Sequence, residues 1–389
     1  MLPTDPRRLS AAAMHQRSSV VRDLLDQGRC PDLISLAGGL PAPELLPTDR
    51  AAAACATVID RYGPRSMQYG PTRGEPALLD RLDAGCITTG SQQALDLLAR
   101  VLLDPGDRVI TGDPEYLGLL GVLRPLGVQI TAVPLTHQGI DPAATVAAIN
   151  TTPAARLLYI APRFHNPTGA LLEPAAAATI GRAAAAAGTV IIEDDPYAEL
   201  WFDAPPPPLE WGPAEVVRLT TTSKTLAPGL RIGALRGPDW IIDAVVVAKQ
   251  FCDLHTPTLN QLVVHELLID EPWFTQHMDR LRARYRKGRD AMVRALRHRI
   301  PDATFHEPAG GMFIWARLPG IDTGELLPTA LAKGIAYAPG PAFSPTARHR
   351  DALRISFASI EPERLDVAAA RLSDAVRTLQ SASTRPSGR

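Results

Sequence analysis

The chain has 389 residues, which at about 100–200 residues per domain allows two or three compact units and excludes a peptide hormone or a small binding module. Forty basic residues oppose 41 acidic ones, so the net charge of −1 leaves no electrostatic excess for holding a nucleic acid or an anionic membrane. Lysine is scarce, because the only lysines are Lys224, Lys249, Lys287 and Lys333 and the remaining basic residues are arginines.

Hydrophobic runs in the sequence fall short of the ~20 residues that span a bilayer, and the N-terminal region does not resemble a signal peptide. The sequence therefore predicts a cytoplasmic protein with no membrane partner. Its four cysteines are dispersed and form no C-x-x-C pair, so neither a disulfide framework nor a metal site is predicted.

From about Gly85 the sequence alternates short β-rich runs with longer helical runs, which is typical of an α/β unit with a largely parallel sheet. The predicted strands cover residues 86–89, 108–111, 128–135, 156–161, 189–193, 216–222 and 231–235. Predicted helices between them cover residues 91–103, 116–126 and 174–187. About seven strands thus form one large sheet flanked by helices.

After about Pro257 the pattern changes to a long helical stretch followed by short strands and helices, which predicts a smaller α+β domain. We expect residues 46–280 to form the large domain and 281–380 the small C-terminal domain. Residues 1–45, with helical pattern in 18–26 and an extended run in 33–37, are expected to join the small domain. Residues 381–389 are rich in Ser, Thr, Pro and Arg, which predicts a disordered tail.

The most informative stretch is TTSKTLAPGLRIG, residues 221–233. A lysine flanked by hydroxyls at a strand end, with Arg231 seven positions later, fits an imine-forming amine beside a phosphate site. Desolvation lowers the pKa of a lysine, so its neutral amine can condense with an aldehyde. An arbitrary lysine is usually a solvated surface residue, but the neighbours of Lys224 favour pyridoxal 5′-phosphate (PLP) as the cofactor.

A carboxylate is needed to keep the pyridine nitrogen of PLP protonated. Asp194 suits that role, because it follows an apolar strand thirty residues before Lys224; a solvated turn is the alternative. Tyr197, in the same loop, and the amide of Asn166 could bond the phenolic oxygen of the cofactor. The string N-P-T-G that contains Asn166 is by itself only a turn signal.

The phosphate requires hydrogen-bond donors and positive charge. Ser91 and Gln92 follow a predicted strand and open a helix, whose free amides and dipole favour an anion. Ser91 would equally serve as a simple N-cap. Ser223 and Arg231 can complete the phosphate site, and Tyr116 could stack on the ring or pack in the core. These positions follow the carboxyl ends of predicted strands, where open α/β sheets bind ligands.

With these motifs, the sequence resembles the fold-type I, class I/II aminotransferases, and is most similar to the 2-aminoadipate and kynurenine aminotransferases. The resemblance covers nearly the whole chain. Besides the Lys224 and Asp194 segments, it rests on ISLAGGLP (34–41), QYGP (68–71), TGSQQA (89–94), GGMF (310–313) and LRISF (353–357).

The resemblance implies a role for each matched residue. Catalytic roles would fall to Lys224, as the imine-forming residue and proton shuttle, to Asp194 and to Tyr197. The cofactor would further contact Ser91, Gln92, Tyr116, Asn166, Ser223 and Arg231, with Tyr69 reaching its phosphate from the neighbouring subunit of a homodimer. Substrate would contact Arg354, as a bidentate clamp on the α-carboxylate, together with Gly39 and Asn166.

We therefore expect a homodimeric aminotransferase that moves an amino group between an L-amino acid and a 2-oxo acid in two half-reactions. One alternative is another PLP enzyme, such as a lyase, a decarboxylase or an oxidase, since the same cofactor contacts serve all of them. The other is an aminotransferase-like domain of a transcription regulator. Such regulators carry a winged-helix domain ahead of the Gly38-Gly39 motif, where this sequence has about thirty-five residues, which favours the enzyme.

For the substrate side chain the sequence supports only a hypothesis. Glu115, beside Tyr116, could face a cationic group together with Glu44 or Asp253, although each of them would more often be solvated. A basic or guanidino amino acid, used in a specialised pathway such as the synthesis of an antibiotic precursor, is the expected substrate.

Overall fold

The computed structural model describes residues 9–16, 18, 23–24 and 32–383. The strands are β1 (Ile34–Ser35), β2 (Cys86–Thr88), β3 (Arg108–Asp113), β4 (Gln129–Thr136), β5 (Gly139–Ile140), β6 (Leu157–Ile160), β7 (Val190–Asp194), β8 (Val216–Thr221), β9 (Gly233–Arg236), β10 (Thr304–Phe305), β11 (Phe313–Arg317), β12 (Ile335–Ala336), β13 (Ala338–Pro339) and β14 (Ala352–Ser356). The α-helices are α1 (Ala11–His15), α2 (Thr48–Tyr62), α3 (Pro76–Leu82), α4 (Ser91–Leu102), α5 (Leu117–Leu123), α6 (Pro142–Ile149), α7 (Pro174–Ala187), α8 (Asp239–Gln250), α9 (Thr258–Ile269), α10 (Glu271–Arg299), α11 (Thr323–Ala332) and α12 (Leu365–Ser383).

The structure bears on only part of what the sequence predicts for the two ends of the chain, the helical pattern in 18–26 and the disordered tail 381–389. Most of the helical pattern predicted for 18–26 lies outside the described residues. Residues 381–383 continue α12, so the expected disordered tail is wrong for these three, and residues 384–389 lie outside the described part.

The large sheet has eight strands in the order β2-β9-β8-β7-β6-β3-β4-β5. Strands β4, β3, β6, β7 and β8 run parallel, and β9 pairs antiparallel with both β8 and β2. The predicted α/β class and largely parallel sheet are therefore confirmed. The eighth strand, β5, pairs antiparallel with β4; its two residues are too few to show an alternating pattern in the sequence.

Both faces of the large sheet are covered, which explains its continuous apolar strands. Val109 packs on one face with residues of α4 and α8, and Ile110, the next residue, packs on the other with residues of α6 and α7. This alternation follows from the two-residue period of a strand. Helix α7 has the predicted bounds because Pro174 opens it and Gly188, with φ of 68°, closes it in the left-handed conformation.

A second, antiparallel sheet has the order β10-β11-β14-β13. Its core includes residues of α10 and α12 together with Ile34 and Leu36 of the N-terminal segment, and β1 pairs in parallel with β12. The predicted domain boundary near residue 280 falls inside α10, and the division into domains stays a prediction. Among the described residues, no helix combines the length and the hydropathy needed to cross a membrane.

Candidate active site

One pocket of about 990 Å³ opens at the carboxyl ends of the parallel strands. Of the residues that the family resemblance assigns to the site, all but Tyr69 line this pocket: Gly39, Ser91, Gln92, Tyr116, Asn166, Asp194, Tyr197, Ser223, Lys224, Arg231 and Arg354. The residues come from seven separate stretches of sequence. The sheet brings most of them together, and Gly39 and Arg354 come from the N-terminal segment and the second sheet.

Lys224 lies in this pocket, three residues beyond the end of β8. Its Nζ donates a hydrogen bond of 2.8 Å to the carbonyl oxygen of Gly39. Burial in the pocket, and then the positive charges of Arg354 and Arg231, lower the pKa of Lys224 to about 8. A substantial fraction of this amine is therefore neutral and nucleophilic at mildly alkaline pH.

Asp194 is the last residue of β7 and is buried. The Tyr159 hydroxyl donates to its Oδ2 at 2.7 Å, whereas its Oδ1 is buried without a partner among the described residues. Burial raises the pKa of Asp194 to about 7, although the Tyr159 hydrogen bond lowers it. An unpartnered carboxylate oxygen in such a place fits an N–H donor, such as a protonated pyridine nitrogen, supplied by a ligand.

The start of α4 and Arg231 form a site for an anion. Gly90 precedes α4 with φ of 78°, and a Cβ atom there would lie 2.3 Å from Nη2 of Arg231, so only glycine allows this approach. Arg231, itself with φ of 55°, donates from Nη2 to the Thr89 carbonyl at 3.0 Å. Ser223 lies beside them in the pocket. Free amides, a helix dipole and a guanidinium suit a phosphate.

Two tyrosines and an asparagine line the remaining cofactor side of the pocket. Tyr116 immediately precedes α5, and its hydroxyl contacts Oε1 of Gln92 at 3.2 Å. Burial raises the pKa of Tyr116 to about 12 and that of Tyr197 above its usual range, so both phenols stay protonated near neutral pH. Asn166 lines the pocket with them, and its side chain opposes the rise in the pKa of Tyr197.

Arg354, on β14, is buried and faces the pocket. Its Nη1 donates to Oδ1 of Asn166 at 2.7 Å and its Nη2 to the Ala37 carbonyl, while Nε is buried without a partner among the described residues. The guanidinium lies 4.4 Å from the ring centroid of Phe313 and 5.0 Å from that of Phe343. Burial lowers its pKa to about 10, so the group remains charged at neutral pH.

Tyr69 does not line the pocket of its own chain. The residue is 77% exposed, and its ring contacts the His255 ring edge-on, with the centroids 5.7 Å apart.

The three acidic residues expected to face a cationic substrate do not line the pocket. Glu115 is buried and accepts from the backbone amides of Gly112 and Tyr116 and contacts Nε2 of His165. Glu44 pairs with Arg284, and Asp253 pairs with Lys249. Their placement as substrate contacts is therefore wrong, because the polar groups of the fold already occupy these carboxylates.

Sequence reasoning missed Tyr159, Phe313 and Leu40. Tyr159 orients Asp194, Phe313 packs under Arg354, and Leu40 lines the pocket beside Gly39. Tyr159 lies in a strand that is buried on both faces, where an apolar run gives no indication of which side chain points toward a neighbouring carboxylate.

The fold and the site together place a buried amine of lowered pKa, a helix start beside one guanidinium and a second buried guanidinium around one pocket of an α/β protein. A sequence profile of the family described as aminotransferase class I and II matches residues 45–372. The 2-aminoadipate transaminase of Thermus thermophilus is 37% identical over 379 residues, which cover 93% of this chain and 95% of that protein.

Solved structures give the same result. The α-aminoadipate aminotransferase of T. thermophilus, crystallised with N-(5′-phosphopyridoxyl)-L-leucine, superposes with a TM-score of 0.90 at 34% identity, over 97% of this chain and 99% of that one. The kynurenine aminotransferase of Pyrococcus horikoshii superposes with a TM-score of 0.89 at 32% identity, over 96% and 98%. The chain belongs to the class I and II aminotransferases, a family of PLP-dependent enzymes of fold type I, as the resemblance indicates.

Because burial raises the pKa of Asp194, we expect the stability of the cofactor-free protein to depend on pH. The folded pKa of Asp194, about 7, lies above the unfolded value near 3.9, so stability is lost as the pH rises from ~4 through ~7. Asp194→Asn removes this charge and keeps an acceptor for the Tyr159 hydroxyl. We expect the variant to melt at least ~2 °C above the wild type at pH 8.

Thermal melts of both cofactor-free proteins between pH 4 and pH 8.5 test this. The difference in melting temperature should grow up to ~pH 7 and then level off, since all other titrating groups cancel between the two proteins. A difference that does not vary with pH, or a less stable variant at pH 8, would contradict the account.

Proposed function

We propose that this protein uses PLP to transfer an amino group between an L-amino acid and a 2-oxo acid, with the site residues acting as described below. One observation carries the assignment. Lys224, Arg231 and Arg354 donate to carbonyl and amide oxygens, and Asp194 accepts from a phenol, so these four charged groups have neutral partners. Their charges remain available to a ligand.

The balance of these charges favours a particular kind of ligand. Apart from the Asp96–Arg100 ion pair, the described residues place three cationic groups and one carboxylate along the pocket, which suits a ligand with two anionic ends and one cationic group. A phosphate beside Arg231, a carboxylate beside Arg354 and a protonated ring nitrogen beside Asp194 would satisfy all of them. The combination of PLP and an amino acid has these three features.

When bound, PLP supplies an electron-withdrawing ring that takes up the electron pair left at the substrate Cα after its proton departs. Lys224 would hold the cofactor through Nζ and, once released, accept the Cα proton at that atom, for which its lowered pKa is suited. Asp194 would hold the proton on the ring nitrogen, and Tyr116 and Tyr197 would orient the ring. Ser91, Gln92 and Ser223 would bind the phosphate with Arg231.

Arg354 would fix the substrate rather than react with it. A planar guanidinium matches a carboxylate fork in a bidentate pair, which sets the direction of the Cα–H bond. Its unpartnered Nε and its position between Phe313 and Phe343 support this role, because the aromatic rings limit how the guanidinium can turn. Asn166 holds one side of it, and a Cβ atom at Gly39 would lie 2.8 Å from the Phe313 ring that packs against it.

We also propose a homodimer with shared active sites. Tyr69 is exposed and separated from its own pocket, and Met67 and Phe251 are 66% and 88% exposed. Large apolar side chains in such positions favour burial by another subunit. In a dimer, Tyr69 would reach the phosphate in the partner subunit's site.

For the substrate, we propose donors with a neutral or anionic side chain, such as 2-aminoadipate or kynurenine, for which the two relatives described above are named. The finer hypothesis of a basic or guanidino donor in specialised metabolism depended on Glu115, Glu44 and Asp253, which make other contacts. In the described part of the chain, the acidic residues lining the pocket are Asp194 and Asp96, and Asp96 pairs with Arg100 at 2.8 Å.

Replacement of the predicted imine-forming lysine tests the function. Lys224→Ala should lower the transamination rate at least ~10⁴-fold, because the nucleophile and the proton carrier are lost together. Steady-state assays with an amino donor and a 2-oxo acid measure the rate, and far-UV circular dichroism checks folding. The matched control, Lys333→Ala at an exposed lysine, should leave the rate unchanged. A Lys224→Ala enzyme within ~tenfold of the wild-type rate would refute the assignment.

A screen of amino donors against 2-oxoglutarate tests the substrate proposal. We expect kcat/KM for 2-aminoadipate or kynurenine to exceed that for arginine or lysine at least ~tenfold, since among the described lining residues Asp96 is paired and Asp194 is assigned to the cofactor, which leaves no carboxylate for a cationic side chain. Product analysis should give one 2-oxo acid per amino group transferred. A preference for arginine or lysine would overturn this proposal, and stoichiometric ammonia or carbon dioxide would instead favour a lyase or a decarboxylase.

A further inference from the structure

A fully buried lysine lies next to the segment that opens the phosphate site. Lys249, near the end of α8, has no exposed surface, and it is one of only four lysines in the sequence. Its Nζ donates to Oδ1 of Asp253 at 2.6 Å and to Oε1 of Gln93 at 3.2 Å. A buried ammonium is costly unless it is paired and hydrogen-bonded, so this group requires both partners.

Asp253 extends the contact to the chain segment before α4. Its Oδ2 accepts from the Thr89 hydroxyl at 2.8 Å and from Nε2 of Gln93 at 2.6 Å. Partial burial opposes its ionisation, but the hydrogen bonds from Lys249, Gln93 and Thr89 outweigh this effect and hold its pKa below the usual value. The carboxylate is therefore charged and balances the charge of Lys249.

Gln93 closes the network onto the backbone. Its Oε1, already bonded to Lys249, also accepts from the Thr89 amide at 2.7 Å. Thr89 is thus held through its amide and its hydroxyl, and its carbonyl accepts from Arg231. Gly90 follows directly and donates to the Thr88 carbonyl at 2.8 Å, and Ser91 and Gln92 then present the free amides at the start of α4. The position of these donors and of the Arg231 guanidinium therefore depends on how Thr89 is held.

We propose that Lys249 and Asp253 are positioning residues for the cofactor phosphate. They fix the Thr89–Gln93 segment and, through the Thr89 carbonyl, Arg231, without contacting the phosphate. This inference rests on the proposed function, because it assigns the phosphate of PLP to the site at the start of α4. In this role the carboxylate of Asp253 balances the charge of Lys249 and holds Thr89, and it does not contact the substrate.

The test separates positioning of the phosphate site from general stabilisation of the fold. The full chain is purified, freed of cofactor and titrated with PLP or with pyridoxal, which has the same aldehyde ring and no phosphate. Binding is followed by absorbance. We expect Lys249→Met and Asp253→Asn to raise the dissociation constant for PLP at least ~tenfold and to change that for pyridoxal less than ~twofold.

Two further variants serve as a fallback and a control. Thr89→Val removes the hydroxyl bonded to Asp253 at nearly constant volume. It should raise the dissociation constant for PLP by a smaller factor and leave that for pyridoxal unchanged, and it keeps the test decisive where Lys249→Met folds poorly. Lys287→Met breaks an exposed lysine–glutamate pair, Lys287 with Glu363 at 3.1 Å, and should leave both dissociation constants unchanged.

The outcomes distinguish this inference from the function on which it rests. Equal weakening of PLP and pyridoxal, or unchanged PLP affinity in both Asp253→Asn and Thr89→Val, would overturn the positioning role while the enzyme assignment stands. A wild-type protein that binds neither compound would overturn the proposed function itself.

Discussion

The site depends on one electrostatic constraint: charged groups are gathered in a single pocket without neutralising one another. The amine of Lys224, the guanidinium groups of Arg231 and Arg354 and the carboxylate of Asp194 each bond to neutral atoms of the chain. Withdrawing charges from water without ionic partners is unfavourable, so this arrangement lowers the stability of the cofactor-free protein. A ligand of complementary charge would pair these groups and restore the stability that their burial removes. The same charges therefore destabilise the cofactor-free fold and favour ligand binding.

The architecture explains why these groups meet. Parallel strands place Asp194 and the segments containing Tyr116 and Asn166 along one edge of the large sheet. The second sheet contributes Arg354, and the N-terminal segment contributes the Gly39 carbonyl to Lys224. The complete pocket therefore forms only when the two sheets and the N-terminal segment around Gly39 pack correctly against one another.

Much of this arrangement could be predicted from the sequence, because strand ends and helix starts carry local signals. The Gly90–Ser91 junction, the apolar strand before Asp194 and the bounds of α7 follow from glycine, strand and cap patterns. Tyr159 and the placement of Glu115 could not be predicted in this way. Which polar side chain bonds to which depends on contacts between distant strands, and Glu115 turns to the backbone of its own loop and to His165 rather than to the pocket.

Borohydride reduction of the PLP-loaded protein, followed by peptide mapping, tests the central claim most directly. Reduction makes the link between an amine and the aldehyde permanent, so the modified lysine can be identified by mass. The account predicts that the peptide containing Lys224 carries the added mass and that those containing Lys249, Lys287 and Lys333 do not. Modification at another lysine, or no modification at all, would contradict it.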